Sequence, residues 1–234
     1  MWRTVIGTTL DRMRGTRTGS AIMPMQCALF GAALFSLFLT GCGSDDPYQY
    51  DSIGGGMIRF KDDAVANAAP GEAILNLSFI DQSGKTFRPR DFTAKQNLVL
   101  VFVRGYNGSI CPYCSTYLSG LIANFKEIAA RDAAVLVVYP IAKPNQSQRL
   151  DEFLQATFQN SSPAVNQTPF PVVLDVGLTA VDALGIRKDL AKPATYILDK
   201  KGQVRFAYVG NSLSDRPSIK AILKQLDAIA HEPS

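Results

Sequence analysis

A chain of 234 residues, 47% hydrophobic and 19% charged, has room for one ordinary core plus a targeting or linking segment, and its composition is that of a folded rather than a disordered protein. The formal charge of +4 sits at the start: Arg3, Arg12, Arg14 and Arg17 face only Asp11 among residues 1–41, leaving 20 basic against 19 acidic residues beyond and no electrostatic footprint of a nucleic-acid partner. The single histidine, His231, is among the last four residues, so serine–histidine triads, cysteine–histidine hydrolases and histidine-ligated zinc lack their essential group.

The basic start is followed by an apolar run over residues 28–39, too short to span a bilayer comfortably and correctly bounded for the apolar region of a secretory signal. It ends in Leu39-Thr40-Gly41-Cys42, which resembles the lipobox of bacterial lipoproteins. That resemblance implies cleavage before Cys42, a lipid on its sulfur, and attachment to a membrane of the bacterial cell envelope, facing the periplasm. Residues 42–71, with Gly54-Gly55-Gly56 and no sustained periodicity, read as a flexible tether, with Tyr48, Tyr50 and Phe60 leaving open an arm packed on the domain, and the folded domain is expected over 72–234.

Within that domain, residues 73–80, a Ser83-Gly84 turn and residues 85–87 read as an N-terminal β-hairpin. Residues 98–103 form a continuous β-branched and aromatic run, the pattern of a strand covered on both faces. Leu118, Leu121, Ile122, Phe125 and Ile128 recur at helical spacing over 117–130, and 134–139 is a second buried strand. Strand, helix and strand within about forty residues make a right-handed parallel crossover. A helix over 147–158, a strand over 171–175 and a short helix over 178–184 come next. Strands at 194–198 and 204–209 follow, joined by a Lys201-Gly202 turn, before a helix from about 215 to 230.

Four cysteines are present, but Cys27 lies in the expected signal and Cys42 at its end, so the domain keeps Cys111 and Cys114. In Cys111-Pro112-Tyr113-Cys114 the first cysteine falls between a buried strand and a helix, where the positive helix end favours thiolate, and the second lies one turn along. Pro112 suits the first helical turn, where no amide is required. A structural disulfide across so small a loop constrains little chain. Metal binding would need further ligands, and covalent haem would need histidine where Ser115 stands. Reversible dithiol/disulfide chemistry is the expectation, with no cofactor and no metal, and with Cys111 as the exposed nucleophile.

Lys192-Pro193-Ala194-Thr195-Tyr196-Ile197-Leu198-Asp199, together with the order of elements, resembles the thioredoxin-like redoxins of the alkyl hydroperoxide reductase and thiol-specific antioxidant (AhpC/TSA) family. The resemblance implies an α/β thioredoxin-like fold, βαβ plus ββα around a central mixed sheet, with a peroxiredoxin-type insertion. It also implies a cis Pro193 against the sulfurs, Pro112 and Tyr113 tuning them, a protein disulfide or a hydroperoxide as substrate, and a thiol electron donor. The enclosed Pro-Tyr pair resembles glutaredoxin-like sites of intermediate potential. Peroxiredoxins place a proline seven residues before the reactive cysteine, a hydroxyl three before it, and an arginine ahead of Ala-Thr. Here Arg104, Gly108 and Pro193 stand at those places, with Ser109 and Arg104 the nearest substitutes. Disulfide exchange is therefore the leading expectation, hydroperoxide reduction the alternative. Copper delivery is less favoured, because copper chaperones of this fold space their cysteines by three residues and add a distant histidine.

Overall fold

The two segments with the longest unbroken apolar sequence become the centre of the sheet, because only there are both faces of a strand covered. In a computed structural model, which describes residues 58–232, these are β3 (Asn97–Phe102) and β4 (Ala133–Ile141), parallel and in register from Asn97 opposite Ala133 to Phe102 opposite Val138. Every residue of both strands is buried. Val99 and Val101 enter one core layer and Leu98, Leu100 and Phe102 the other, as the two-residue period of a strand requires.

Around this pair the sheet runs β2-β1-β5-β4-β3-β6-β7. β1 (Phe79–Ile80) and β2 (Thr86–Phe87) form the expected hairpin, and β5 (Val172–Val176) lies parallel to β4. β6 (Ala194–Leu198) is antiparallel to β3, and β7 (Val204–Val209) closes the far edge against β6. Helices α1 (Pro89–Thr93), α2 (Pro112–Ala123), α3 (Phe125–Ala129), α4 (Arg149–Gln159), α5 (Thr179–Ala183) and α6 (Ile219–Ala230) complete the chain. The βαβ half, the ββα half and the inserted α4 and β5 between them make a thioredoxin-like domain, as expected.

Three expectations need correction. The strand expected over 73–80 shrinks to Phe79–Ile80, and Glu72–Asn76 is a 3-10 turn. Its burial does not alternate: Ala73 is exposed, Ile74 buried and Leu75 half-buried, so one apolar side chain anchors a turn instead of one face of a strand. The last helix begins at Ile219, not near residue 215, because Pro217 disfavours helical backbone at the residue before it and Ser218 caps the helix, accepting from the Ala221 amide at 3.1 Å.

The third correction concerns the tether. Its residues 58–70 are laid against the domain, where the Asn67 amide donates to Ala207 O at 2.9 Å and the Asn67 side chain exchanges two hydrogen bonds with Val209. These contacts cover the outer edge of β7, whose backbone groups would otherwise stand open. The expected signal, Cys42 and the first part of the tether lie outside the described residues.

Candidate active site

After β3 the chain makes a sharp turn. Gly105 takes φ +87, and a Cβ there would lie 2.1 Å from Pro140 O, so the loop passes β4 at a distance only glycine permits. The loop delivers Cys111 as the residue capping α2, with Pro112 in its first turn. The Cys114 amide donates to Cys111 Sγ at 3.4 Å, and the Cys114 and Ser115 amides both reach Cys111 O at 3.1 Å. Hence the first sulfur sits at the positive end of a helix, as the C-x-x-C spacing implied. The helix is fixed to α4 through Ser119 Oγ donating to Asn160 O at 3.0 Å and Asn160 Nδ2 donating to Ser115 Oγ at 3.3 Å.

Both thiols are free and nearly sealed, Cys111 at 3% exposure and Cys114 at 1%. The expected exposure of Cys111 is thus not found. It lies just after the exposed stretch 107–109, yet Tyr113 and Tyr117 are buried with it in one apolar layer. Ser109, a candidate peroxide-binding substitute, is exposed, whereas Arg104 contributes its backbone N–H to Cys114 Sγ at 3.5 Å.

The group that sequence reasoning missed is Arg216. It is 2% exposed, its Nη2 donates to Cys114 Sγ at 3.1 Å, its Nε donates to Leu213 O at 2.8 Å, and its guanidinium lies 5.3 Å from the Tyr117 ring centre. Its Nη1 is buried with no hydrogen-bond partner, and so is Tyr139 Oη, on a ring stacked 4.8 Å from Phe153. A buried guanidinium needs a counter-charge, and the nearest is a thiolate. Nothing around residue 216 marks it in the sequence, because the expected helix hid a loop.

Burial works against ionisation of Cys114. A hydrogen bond from Cys111, the charge of Arg216, the Arg104 amide and the direct Arg216 hydrogen bond outweigh it and hold the thiol down to about 6. Cys111 moves the opposite way, pushed up by its hydrogen bond to Cys114, by burial and by the charge there. The two shifts divide the pair, drawing Cys114 toward the thiolate and Cys111 toward the thiol. Tyr139 is pushed up by burial and then by the charges of Cys114 and Cys111, which places the phenol within electrostatic reach of both sulfurs.

Pro193 is buried at the entry to β6, but the Lys192–Pro193 bond is trans; among the described residues the cis bond is Ser162–Pro163. The run into β6 is pinned by Ala191 N to Arg104 O at 3.3 Å, Lys192 N to Ile186 O at 2.7 Å and Gly210 N to Pro193 O at 2.8 Å. The last bond gives Pro193 a supporting place: it fastens the start of the loop that carries Arg216.

A mixed sheet of this order, with a free dithiol at the start of the helix after its central strand, defines a thioredoxin-like redox protein. Residues 68–207 match the AhpC/TSA family, and the chain belongs to that family, whose oxidoreductases work through cysteine thiols without a cofactor. No curated protein matches the chain. Solved structures share its fold. A peroxiredoxin 6 from Arenicola marina is 15% identical over 66% of this chain and 70% of its own, with a TM-score of 0.56. The mitochondrial 2-Cys peroxiredoxin of Plasmodium falciparum is 17% identical over 66% and 88%, at 0.50. The bacterioferritin comigratory protein of Xanthomonas campestris is 20% identical over 70% and 99%, also at 0.50.

Proposed function

We propose that this redoxin is a thiol–disulfide oxidoreductase whose electrons pass through Cys111 and Cys114. The observation that carries the reading is the free dithiol at the start of α2 with the buried Arg216 3.1 Å from Cys114 Sγ, an arrangement that favours the thiolate on Cys114 and leaves the proton on Cys111. Moving that proton along the hydrogen bond turns the resting Cys114 thiolate into a Cys111 thiolate, the sulfur nearer the exposed loop. Cys111 attacks one sulfur of a substrate disulfide and the other leaves as a thiolate. Once deprotonated again, Cys114 attacks Cys111, releasing the second substrate thiol and leaving a Cys111–Cys114 disulfide. Two electrons pass to the substrate, and a thiol donor reverses the step. In the test, Cys114→Ser should accumulate a mixed disulfide with a model protein disulfide and Cys111→Ser should not; trapping on Cys111→Ser alone would reverse the roles.

Hydroperoxide reduction has one observation of its own in favour. The buried, unpartnered Arg216 Nη1 offers a donor for a peroxide oxygen, supplying from another element the arginine that the sequence lacked ahead of Ala194. The Xanthomonas protein named above is described by its alkyl peroxide reduction activity. There Cys111 would take the terminal oxygen as a sulfenate, releasing the alcohol or water, and Cys114 would condense with it, expelling water. Stopped-flow mixing with hydrogen peroxide decides between the two: oxidation many orders of magnitude faster than that of free cysteine, lost in Cys111→Ser, makes this the substrate. The lipid anchor at Cys42 in the cell envelope is part of the same proposal and rests on the lipobox resemblance. Metabolic palmitate labelling should mark the wild type and not Cys42→Ala.

A further inference from the structure

The charge that stabilises Cys114 comes from a loop, and that loop is held by the N-terminal arm that precedes the first turn of the fold. The Lys61 amide donates to Arg216 O at 2.8 Å and the Ser218 amide donates to Lys61 O at 2.8 Å, so one residue of the N-terminal arm brackets residues 216–218 in a two-bond ladder. The Lys61 side chain adds a second grip. Its Nζ lies 2.6 Å from Asp215 Oδ1 and donates to Tyr208 Oη at 2.8 Å, while Tyr208 Oη donates to the same carboxylate at 2.5 Å. Phe60 packs edge-on to Tyr117, the ring against which the Arg216 guanidinium lies, at 4.9 Å. Asp62 accepts from Ser218 Oγ at 2.6 Å and finishes the strap at the start of α6.

We propose that Lys61 is a positioning residue of the active site, its main chain and ammonium clamping the loop so that the Arg216 guanidinium stays on Cys114 Sγ. The inference rests on the dithiol reading above. Lys61 touches neither sulfur. The charged and titratable groups around Cys114 are Arg216, Cys111 and the phenols of Tyr117 and Tyr139, and of these Arg216 is the one whose backbone the strap holds. The Lys61 side chain is 55% exposed while its partners Asp215 and Tyr208 are largely buried, so a change in stability would accompany either role, and an effect on the buried sulfur is what separates positioning from mere support.

The test is a pH titration of thiolate absorbance near 240 nm in the reduced full-length chain. Wild type should ionise near pH 6. Lys61→Met should move the transition up by about one unit or more and slow alkylation of the reduced protein at pH 6 several-fold. Lys61→Arg, which keeps the charge and a donor, should return most of the shift, and Lys224→Met, which removes a nearby exposed charge, should leave it in place. Should Lys61→Met not fold, Tyr208→Phe, which removes one of the two side-chain partners of the Lys61 ammonium and a hydrogen bond to Asp215, is read in its stead, with a smaller shift expected. A transition that stays put in the variant while its melting temperature falls overturns the positioning role alone. A wild type with no thiolate below pH 8 overturns that role and the proposed function together.

Discussion

Two stretches of chain meet at Cys114 and were unequally visible beforehand. The strand-to-helix turn, residues 103–114, carries its meaning in local order: a buried strand, a glycine, a cysteine at the helix cap, a proline in the first turn and a cysteine one turn on. The β7–α6 loop, residues 210–218, has no such order, yet it supplies the full positive charge that the dithiol needs. The comparison teaches that a nucleophile can be written in a motif while its electrostatic partner is set by long-range closure. Here Gly210, where a Cβ would lie 2.0 Å from Asp215 O, lets the loop double back, and Lys61 closes it from about 150 residues away in sequence.

The harshest way to break this comparison is to remove the charge and keep the motif. Arg216→Met should retain the fold of α2, because Cys111, Pro112 and the helix cap are untouched. The Cys114 thiol, left in an apolar layer, should return from about 6 toward its ordinary value of 9.0 or above. At pH 7 that is a roughly hundredfold loss of thiolate, partly offset by the greater nucleophilicity of the more basic sulfur, so alkylation and turnover should fall by about tenfold or more. The reduction potential should drop by about 30 mV at the same pH, since a stabilised thiolate favours the reduced state. Unchanged thiolate absorbance in the variant would mean that the helix end alone ionises the site.

A second measurement sharpens it through stability. Cys114 is depressed in the folded protein, to about 6 against 9.0, so between those pH values the unfolded chain binds more protons and stability rises with pH. The contribution is present above pH 9 and is lost as pH falls through 6. Cys111, pushed the other way, takes stability back as pH climbs beyond 9. Denaturant unfolding of the reduced protein should show a gain on the order of 3 kcal/mol between pH 6 and pH 9. The disulfide form, with no thiol to ionise, should lack it. Equal profiles for the two forms would show that Cys114 is an ordinary buried thiol.

Most of the fold was legible for a physical reason that stops short of the site's electrostatics. Continuous apolar runs fix the central strands because burial on both faces leaves no alternative at 98–102 and 134–141, and the helical recurrence from Leu118 to Ile128 is equally plain. The Cys111–Cys114 pair was legible because its chemistry depends on a spacing of one helical turn. Arg216 was not, since an arginine before Pro217 reads as the exposed start of a helix until the loop is seen to turn inward. The arginine sought ahead of Ala194 is absent there, and the one beside the sulfurs comes from another element. The arm was legible only as the alternative that Phe60 left open, because its contacts are main-chain bonds and single side chains, which leave no periodicity, and its polar, glycine-rich approach has the composition of a linker.

The arm itself allows the mildest test, since its two ends meet different regions. At one end Lys61 and Phe60 lie against the loop and ring that hold Arg216. At the other, Asn67 Nδ2 donates to Val209 O at 2.9 Å and the Val209 amide donates to Asn67 Oδ1 at 2.8 Å, replacing the strand that β7 lacks on its outer side. Asn67→Ala removes both bonds at a solvent-facing edge, where water takes over much of the pairing, so the expected loss is about 1 kcal/mol in denaturant unfolding. Thiolate titration and turnover should not move, because no contact of Asn67 reaches residues 215–218. A rise in the Cys114 ionisation would mean that the arm acts as one rigid strap from Phe60 to Asn67, and that the edge of β7 belongs to the same positioning device as Lys61.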